Sequence, residues 1–400
     1  MEKIQIKNKV IVFGSSHHNT LGLVRSLGEA GISTYLVLVT KDKDSFVAKS
    51  KYLADVFFVN NSKEGLDVIV SKFKDAINKS IIFCSNDDVA RTIDANYDCL
   101  KDFFFVQNAK ASNAILPYFD KFYLTDKAKE WGFDVPYSVI LSKDSVLSDQ
   151  IPFPCITKPL ESIKGKKADI IVCYNREKLE SVLEKLLFSV DKVLVQEYIE
   201  KDYEISILGL SLESQILLPG IIKKIREYPY KKGSSSFACL TKIPIDLNLE
   251  PLYRAIKEVG YTGLFSVEFV KRGDKYYFLE INFRNDGNGY VITSAGMNQP
   301  YIYCLDVLGL WDGISYNDVK EPYYFMSERT DLYHVAEKRL SFFDWYRDYK
   351  KVNCFLRYNK KDLAPTSGSI FSVRLILSVI KRYFYAIIKK DYKSMSNTLL

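Results

Sequence analysis

A chain of 400 residues is long enough for two or three domains, and its 47% hydrophobic and 14% aromatic content excludes a disordered or low-complexity protein. Seven scattered cysteines with no Cys-x-x-Cys pair argue against a zinc or disulfide framework, and no apolar run of about eighteen residues offers a membrane span. The formal charge of +7 is uneven, because residues 320–400 carry 16 Lys and Arg against 8 Asp and Glu.

The charged start of the chain runs directly into a strand, with no signal-peptide pattern, so a cytoplasmic protein with reduced thiols is expected. Residues 9–13 (KVIVF) read as a short buried strand, followed by the loop GSSHHN and a helical pattern, Leu21, Val24 and Leu27, that stops at Gly31. Residues 34–39 are the next strand. This β-loop-α-β order predicts a parallel sheet with its ligand-facing loops at the carboxyl ends of the strands. A NAD-dependent dehydrogenase is the obvious rival, but no G-x-G-x-x-G follows the first strand. His17 and His18 either sit at the surface or present one ring to a substrate. Further strands are expected at 56–59 and 80–84. The second ends in Ser85-Asn86-Asp87-Asp88, where Ser85 and Asp87 are substrate-contact candidates and capping of the next helix is the alternative.

Asp120-Lys121 opens a helix through Leu124 and Ala128 that ends at Gly132. Residues 154–158 (PCITK) form a strand ending in Lys158, with a lysine-rich loop at 161–167 and another strand at 169–174. Lys158 and such a loop can hold phosphate oxygens, or form a basic hairpin turn. A helix at 178–187, a strand at 192–198 (KVLVQEY) and a hairpin at 204–210 and 214–219 follow. In 221–237, Lys223, Lys224 and Arg226 precede a Tyr-Pro turn and a Gly-Ser loop. Alternating cations on a strand line a phosphate-transfer site, bind a substrate carboxylate, or are simply exposed.

After an amphipathic helix at 252–259, residues 265–270 (FSVEFV) and 276–289 (YYFLEINFRNDGNG) form a hairpin around a Lys-Arg-Gly-Asp-Lys turn. Glu268 and Glu280 fall on facing strands, and Asn282 shares the face of Glu280 because the strand period is two. Two carboxylates and an amide oxygen suit a hard divalent cation, and Arg284 adds a fork for phosphate. Solvent-facing charge is the bland alternative.

Glu268, then Glu280-x-Asn282-x-Arg284, resembles the metal and phosphate motif of the ATP-grasp superfamily, including the large-chain type of carbamoyl-phosphate synthase. Those enzymes join a carboxylic acid to a nucleophile through an acyl phosphate. The resemblance implies a mixed α/β chain with α+β character in the nucleotide domain: a Rossmann-like pre-grasp domain (1–115), a small grasp subdomain (116–195), a second grasp subdomain with the metal site (196–315) and a basic, aromatic helical extension (316–400). It implies ATP and two Mg²⁺ or Mn²⁺ ions on Glu268, Glu280 and Asn282, phosphate contacts from Lys121 and Lys158, and catalytic charge from Lys158 and Arg284. Backbone around Glu197 and Tyr198 would read the adenine edge, the Gln196 side-chain oxygen would accept from the adenine amino group, Ile199 would pack on the ring, and Glu204 would accept from the ribose. Lys223 and Arg226 are candidates for acid recognition.

In the tail, residues 341–349 and 370–390 read as helices, the second apolar on one face and basic on the other. It is suited to docking on the protein, to self-association as a homodimer, or to the inner face of a membrane. Nothing points to nucleic acid. Such tails are similar to those of ATP-grasp proteins linked to bacterial surface polysaccharides. The expected function is ligation of small carboxylic acid and amine substrates, with a catalytically silent ATP-binding scaffold as the alternative.

Overall fold

The computed structural model describes residues 4–159, 171–230, 233–314, 318–366 and 381–382. Five parallel strands, β1 (Val10–Ser15), β2 (Thr34–Val39), β3 (Leu53–Val59), β4 (Ser80–Cys84) and β5 (Phe104–Val106), form the N-terminal sheet in the order β3-β2-β1-β4-β5. Its central strands are continuous apolar runs because helices cover both faces. These helices are α1 (His18–Glu29), α2 (Ser62–Phe73), α3 (Asp87–Ala95) and the short α4 (Tyr97–Leu100). The chain reverses its direction of travel across the sheet between β1 and β4, so the loops after these two strands flank a crevice.

Asp120 caps α5 (Lys121–Trp131) by accepting from the Phe122 and Tyr123 amides, and Gly132 closes it at φ 99°, which glycine adopts without a side-chain clash. Leu124, Ala128, Trp131 and Phe133 pack on the C-terminal sheet. Residues 116–135, expected in the small grasp subdomain, therefore pack with the next one. What remains of the small subdomain is an antiparallel sheet of β6 (Ser138–Ser142), β7 (Cys155–Pro159), β8 (Ile171–Cys173) and β9 (Lys192–Glu197), with α6 (Arg176–Leu186) across it. The loop 161–167 lies outside the described residues.

The C-terminal sheet contains β10 (Tyr203–Ser211), β11 (Ile216–Leu217), β12 (Ile221–Tyr228), β13 (Ser234–Thr241), β14 (Gly263–Arg272), β15 (Lys275–Asn282), β16 (Tyr323–Met326) and β17 (Cys354–Phe355). The order is β15-β14-β10-β12-β13-β16-β17, with β11 paired to β10. On one face Ile205, Ile207, Val267, Phe269 and Phe278 pack against α5 and α7 (Glu250–Val259). Strand alternation sends Glu204, Ser206, Glu268 and Lys224 to the other face. The chain then continues through α8 (Gly289–Ala295), α9 (Gln299–Val307), α10 (Glu328–Ala336) and α11 (Phe342–Tyr349).

The region after 316, expected to be a helical appendage, instead adds β16 and β17 to the sheet and ties back to the N-terminal domain. Arg25 of α1 donates from Nε to Asp362 Oδ2 at 3.0 Å, and both side chains are 0% exposed. The Ser50 hydroxyl and the Lys51 amide also donate to Asp362. Of the helix expected at 370–390, all but 381–382 lies outside the described residues. Among the described residues no helix is long and apolar enough to cross a membrane.

Candidate active site

β14 and β15 pair so that Glu268 lies opposite Glu280 and Ser266 opposite Asn282. The ladder slips after Glu268, whose successor Phe269 faces Phe278, so one extra residue swells β15 beside the two carboxylates. Asn282 Nδ2 donates to Glu280 Oε1 at 3.3 Å and to Ser266 Oγ at 3.4 Å. Asn282 Oδ1 accepts from Arg284 Nη2 at 3.1 Å. Arg284 also donates from Nε to Asp87 Oδ1 at 2.5 Å, joining the hairpin to the first turn of α3.

Two lysines thread this acidic surface. Lys224 of β12 donates from Nζ to Glu204 Oε2 at 2.7 Å and to Glu268 Oε2 at 3.2 Å. Lys201 donates to Glu204 Oε1 and to Glu227 Oε1, both at 2.6 Å. Burial tends to raise the Glu204 carboxyl pKa, but Lys224 and Lys201 outweigh it and hold the group below its ordinary value. Glu268 behaves oppositely. Burial, together with Glu280, Asp286 and Glu204, pushes its carboxyl up to about 7 against the pull of Lys224. Two carboxylates set side by side until one prefers its proton are what a divalent cation would relieve. With the Asn282 amide turned so that its oxygen, which here accepts from Arg284, faces them, the donor set would be all oxygen, so the residues fit a magnesium-type ion. Among the described residues there is no group of three or more His, Cys, Asp or Glu placed to hold a metal, so the amide is needed to complete the set.

The remaining sequence candidates divide. Lys121 is half-buried at the start of α5. Lys158 lies in β7 with its backbone opposite Leu194, and its side chain is outside the description. Gln196 is buried and donates from Nε2 to Ser138 Oγ at 2.9 Å, and Ile199 is buried. The Glu197 and Tyr198 amides do not face a cleft: they donate to the carbonyls of Tyr137 and Pro154 at 2.8 and 2.9 Å. An adenine contact there falls to carbonyl oxygens or to the next amide.

Three substrate candidates are turned away from the acid cluster or engaged by other groups. Lys223 lies on the opposite face from the acid cluster, with its Nζ 3.9 Å from the centroid of the Tyr203 ring, because one step along a strand reverses the side chain. The Arg226 guanidinium is committed to Asp331, at 3.0 and 2.8 Å, and to Asp348 at 2.6 Å. Ser85 is 4% exposed, shares a hydrogen bond of 2.8 Å with the Thr20 hydroxyl and packs under Gly14, whose Cβ would meet it at 1.8 Å. Asp87 is in the site but faces Arg284. Asn86 caps α3, accepting from the Val89 amide. His17 caps α1 and, near Arg284 and Asp286, is held below its ordinary pKa by burial first and then by Arg284. A cavity of about 360 Å³ lined by Leu217, Lys242, Met297 and Glu321 lies elsewhere and shares no lining residue with this cluster.

No family model matches the chain. It is 23% identical over 318 residues to a formate-dependent phosphoribosylglycinamide formyltransferase of Prochlorococcus marinus, covering 76% of this chain and 77% of that one. A D-alanine–D-alanine ligase of Petrotoga mobilis is 30% identical over 176 residues, 41% of this chain and 56% of the relative. Matches to the formyltransferases span from 41% to 77% of their length. Among solved structures, N5-carboxyaminoimidazole synthetase from Staphylococcus aureus superposes with a TM-score of 0.64 at 15% identity, over 84% of this chain and 86% of that one. The same enzyme complexed with ADP gives 0.60.

Proposed function

We propose that the chain, which has the fold of ATP-grasp enzymes, joins a small carboxylic acid to an amine through an acyl phosphate, with ATP as phosphoryl donor. The observation that carries this reading is the pairing of Glu268 with Glu280 on adjacent strands, with Lys224 bonded to Glu268, Asn282 to Glu280, and Arg284 to Asn282. Glu268, Glu280 and Asn282 would hold one or two Mg²⁺ or Mn²⁺ ions, whose contribution is to neutralise charge on the outer phosphates.

Lys121, Lys158, Lys224 and Arg284 stabilise the charge on the transferring phosphoryl group, where most of the catalysis of such transfers resides. Lys224 can serve because it is already fixed between Glu204 and Glu268 and needs no reorganisation. Gln196, Ile199 and the backbone of 197–198 hold the adenine, and Glu204 the ribose. The substrate carboxylate enters from the crevice beside His17 and Asp87, attacks the γ-phosphorus, and releases ADP. The amine then adds to the acyl carbon and expels phosphate, so no protein nucleophile is required. Similarity to a ligase named for two alanines supports amino acids among the substrates. The basic residues of 320–400 suit self-association or contact with an anionic membrane face.

The test is ADP and phosphate release on incubation with ATP, Mg²⁺ and pools of carboxylic and amino acids. Release should require an acid, and Glu280→Gln should abolish it in a chain that remains folded. Acid-independent inertness with intact ADP binding would mark a silent scaffold, and normal turnover by Glu280→Gln would refute the metal assignment.

A further inference from the structure

β12 and β13 do not run in simple register. Lys224 faces Ala238, Arg226 faces Phe237 and Glu227 faces Ser235, so Ile225 is the extra residue on β12 and Ser236 the extra residue on β13. Two opposed bulges thus sit immediately after Lys224. Bulges bend a strand and re-aim its side chains, and they persist only where the surroundings hold them. Here the holding group comes from α10. Asp331 is 0% exposed and takes both faces of the irregularity at once: its two oxygens accept from Arg226 at 3.0 and 2.8 Å, and Oδ1 also accepts from the Ser236 hydroxyl at 2.7 Å. The Ser236 carbonyl in turn accepts from the Ser327 amide ahead of α10, at 2.8 Å.

We propose that Asp331 is a positioning residue for the ligase reaction: by pinning the double bulge through Arg226 and Ser236 it aims Lys224 between Glu204 and Glu268. The inference rests on the role given to Lys224 above. It makes the segment after 316 part of the catalytic apparatus, since the strand that carries the phosphoryl-facing cation is set from outside the grasp sheet. Asp348, the other partner of Arg226, touches neither bulged residue by hydrogen bond and serves as the contrast.

The experiment uses the full chain and two readouts. First, brief acetylation with acetic anhydride followed by mass spectrometry reports how far Lys224 is protected by its acidic partners. Asp331→Asn and Ser236→Ala should each raise labelling of Lys224 by about tenfold, while Lys271, a buried lysine paired with Asp246 elsewhere, stays as in the parent and Asp348→Asn changes neither. Second, in acid-dependent ADP release Asp331→Asn should lower kcat by about tenfold with KM for ATP nearly unchanged. In a Lys224→Met background, itself about 100-fold slower, the same change should cost nothing further. An equal rise in labelling at Lys224 and Lys271, unchanged labelling of Lys224, or a full additional loss in the double variant would overturn the proposal. Should Asp331→Asn fail to fold, Ser236→Ala carries the same comparisons. If the parent releases no ADP with any acid, the ligase reading fails while the labelling result still decides the positioning claim.

Discussion

Replacing Glu268 by glutamine should separate the stability of the cleft from its chemistry. Burial, with Glu280 and the neighbouring acids, raises the Glu268 carboxyl from 4.5 to about 7 despite Lys224. A folded-state value above the unfolded one means that folding favours the protonated form. The stabilisation is therefore complete below pH 4.5, declines as pH rises, and is gone above about pH 7. A shift of that size corresponds to about 3 kcal/mol at most. The side chain keeps 22% exposure, so screening by solvent reduces this to about 1–2 kcal/mol. Glutamine keeps the shape without the charge, and Lys224 retains Glu204 at 2.7 Å. In urea unfolding without divalent ions, Glu268→Gln should be more stable than the parent by about 1–2 kcal/mol at pH 8 and nearly equal to it at pH 4.5. Adding Mg²⁺ should raise the parent's midpoint and leave the variant's in place, and the variant should release no ADP. A variant less stable than the parent at pH 8, or an offset independent of pH, would refute the account of this carboxylate.

Arg25→Met strands a buried Asp362 carboxylate and should cost about 3–5 kcal/mol by denaturant unfolding, with only part of it recovered in Arg25→Met/Asp362→Leu, which leaves the Ser50 hydroxyl and Lys51 amide without Asp362. A loss under about 1 kcal/mol would show that the pair is not the anchor between α1 and the C-terminal region. Ser85→Ala should lower stability by about 1 kcal/mol and leave the KM for the acid unchanged, because its hydroxyl serves Thr20 and not a substrate. Lys223→Ala should leave ADP release at the parental rate, and a large loss would mean that the opposite face of β12 contacts substrate.

The parallel domain was legible because buried parallel strands read as unbroken apolar runs, as in 9–13 and 80–84, and because Gly31 ends its first helix. The C-terminal sheet was only half legible. β16 and β17 are short and separated by about thirty residues containing two helices, so no local pattern in 323–355 announces that they pair. The same holds for α5. Its start and stop signals are local, but its partner face is built by Ile205, Val267 and Phe269, far along the chain. Cores assembled from distant segments decide domain membership, and a linear boundary at 116 could not see that.

The site shows why the facing carboxylates could be read and the choice of the cation beside them could not. Glu268, Glu280 and Asn282 sit on one hairpin, where a period of two and a short turn fix which side chains meet. In Lys223-Lys224 the same period requires one lysine to face the acids and the other to face away, but nothing in 221–228 says which. The choice is made by pairing with β10, where Ile205 opposite Lys223 belongs to the apolar face, and by the bulge at Ile225 that follows. Arg226 is lost to substrate for the same kind of reason, since its acid partners lie 105 and 122 residues downstream. Residues whose partners are local could be assigned from sequence, whereas those whose partners come from another strand or helix required the fold, and Lys224 is of the second kind.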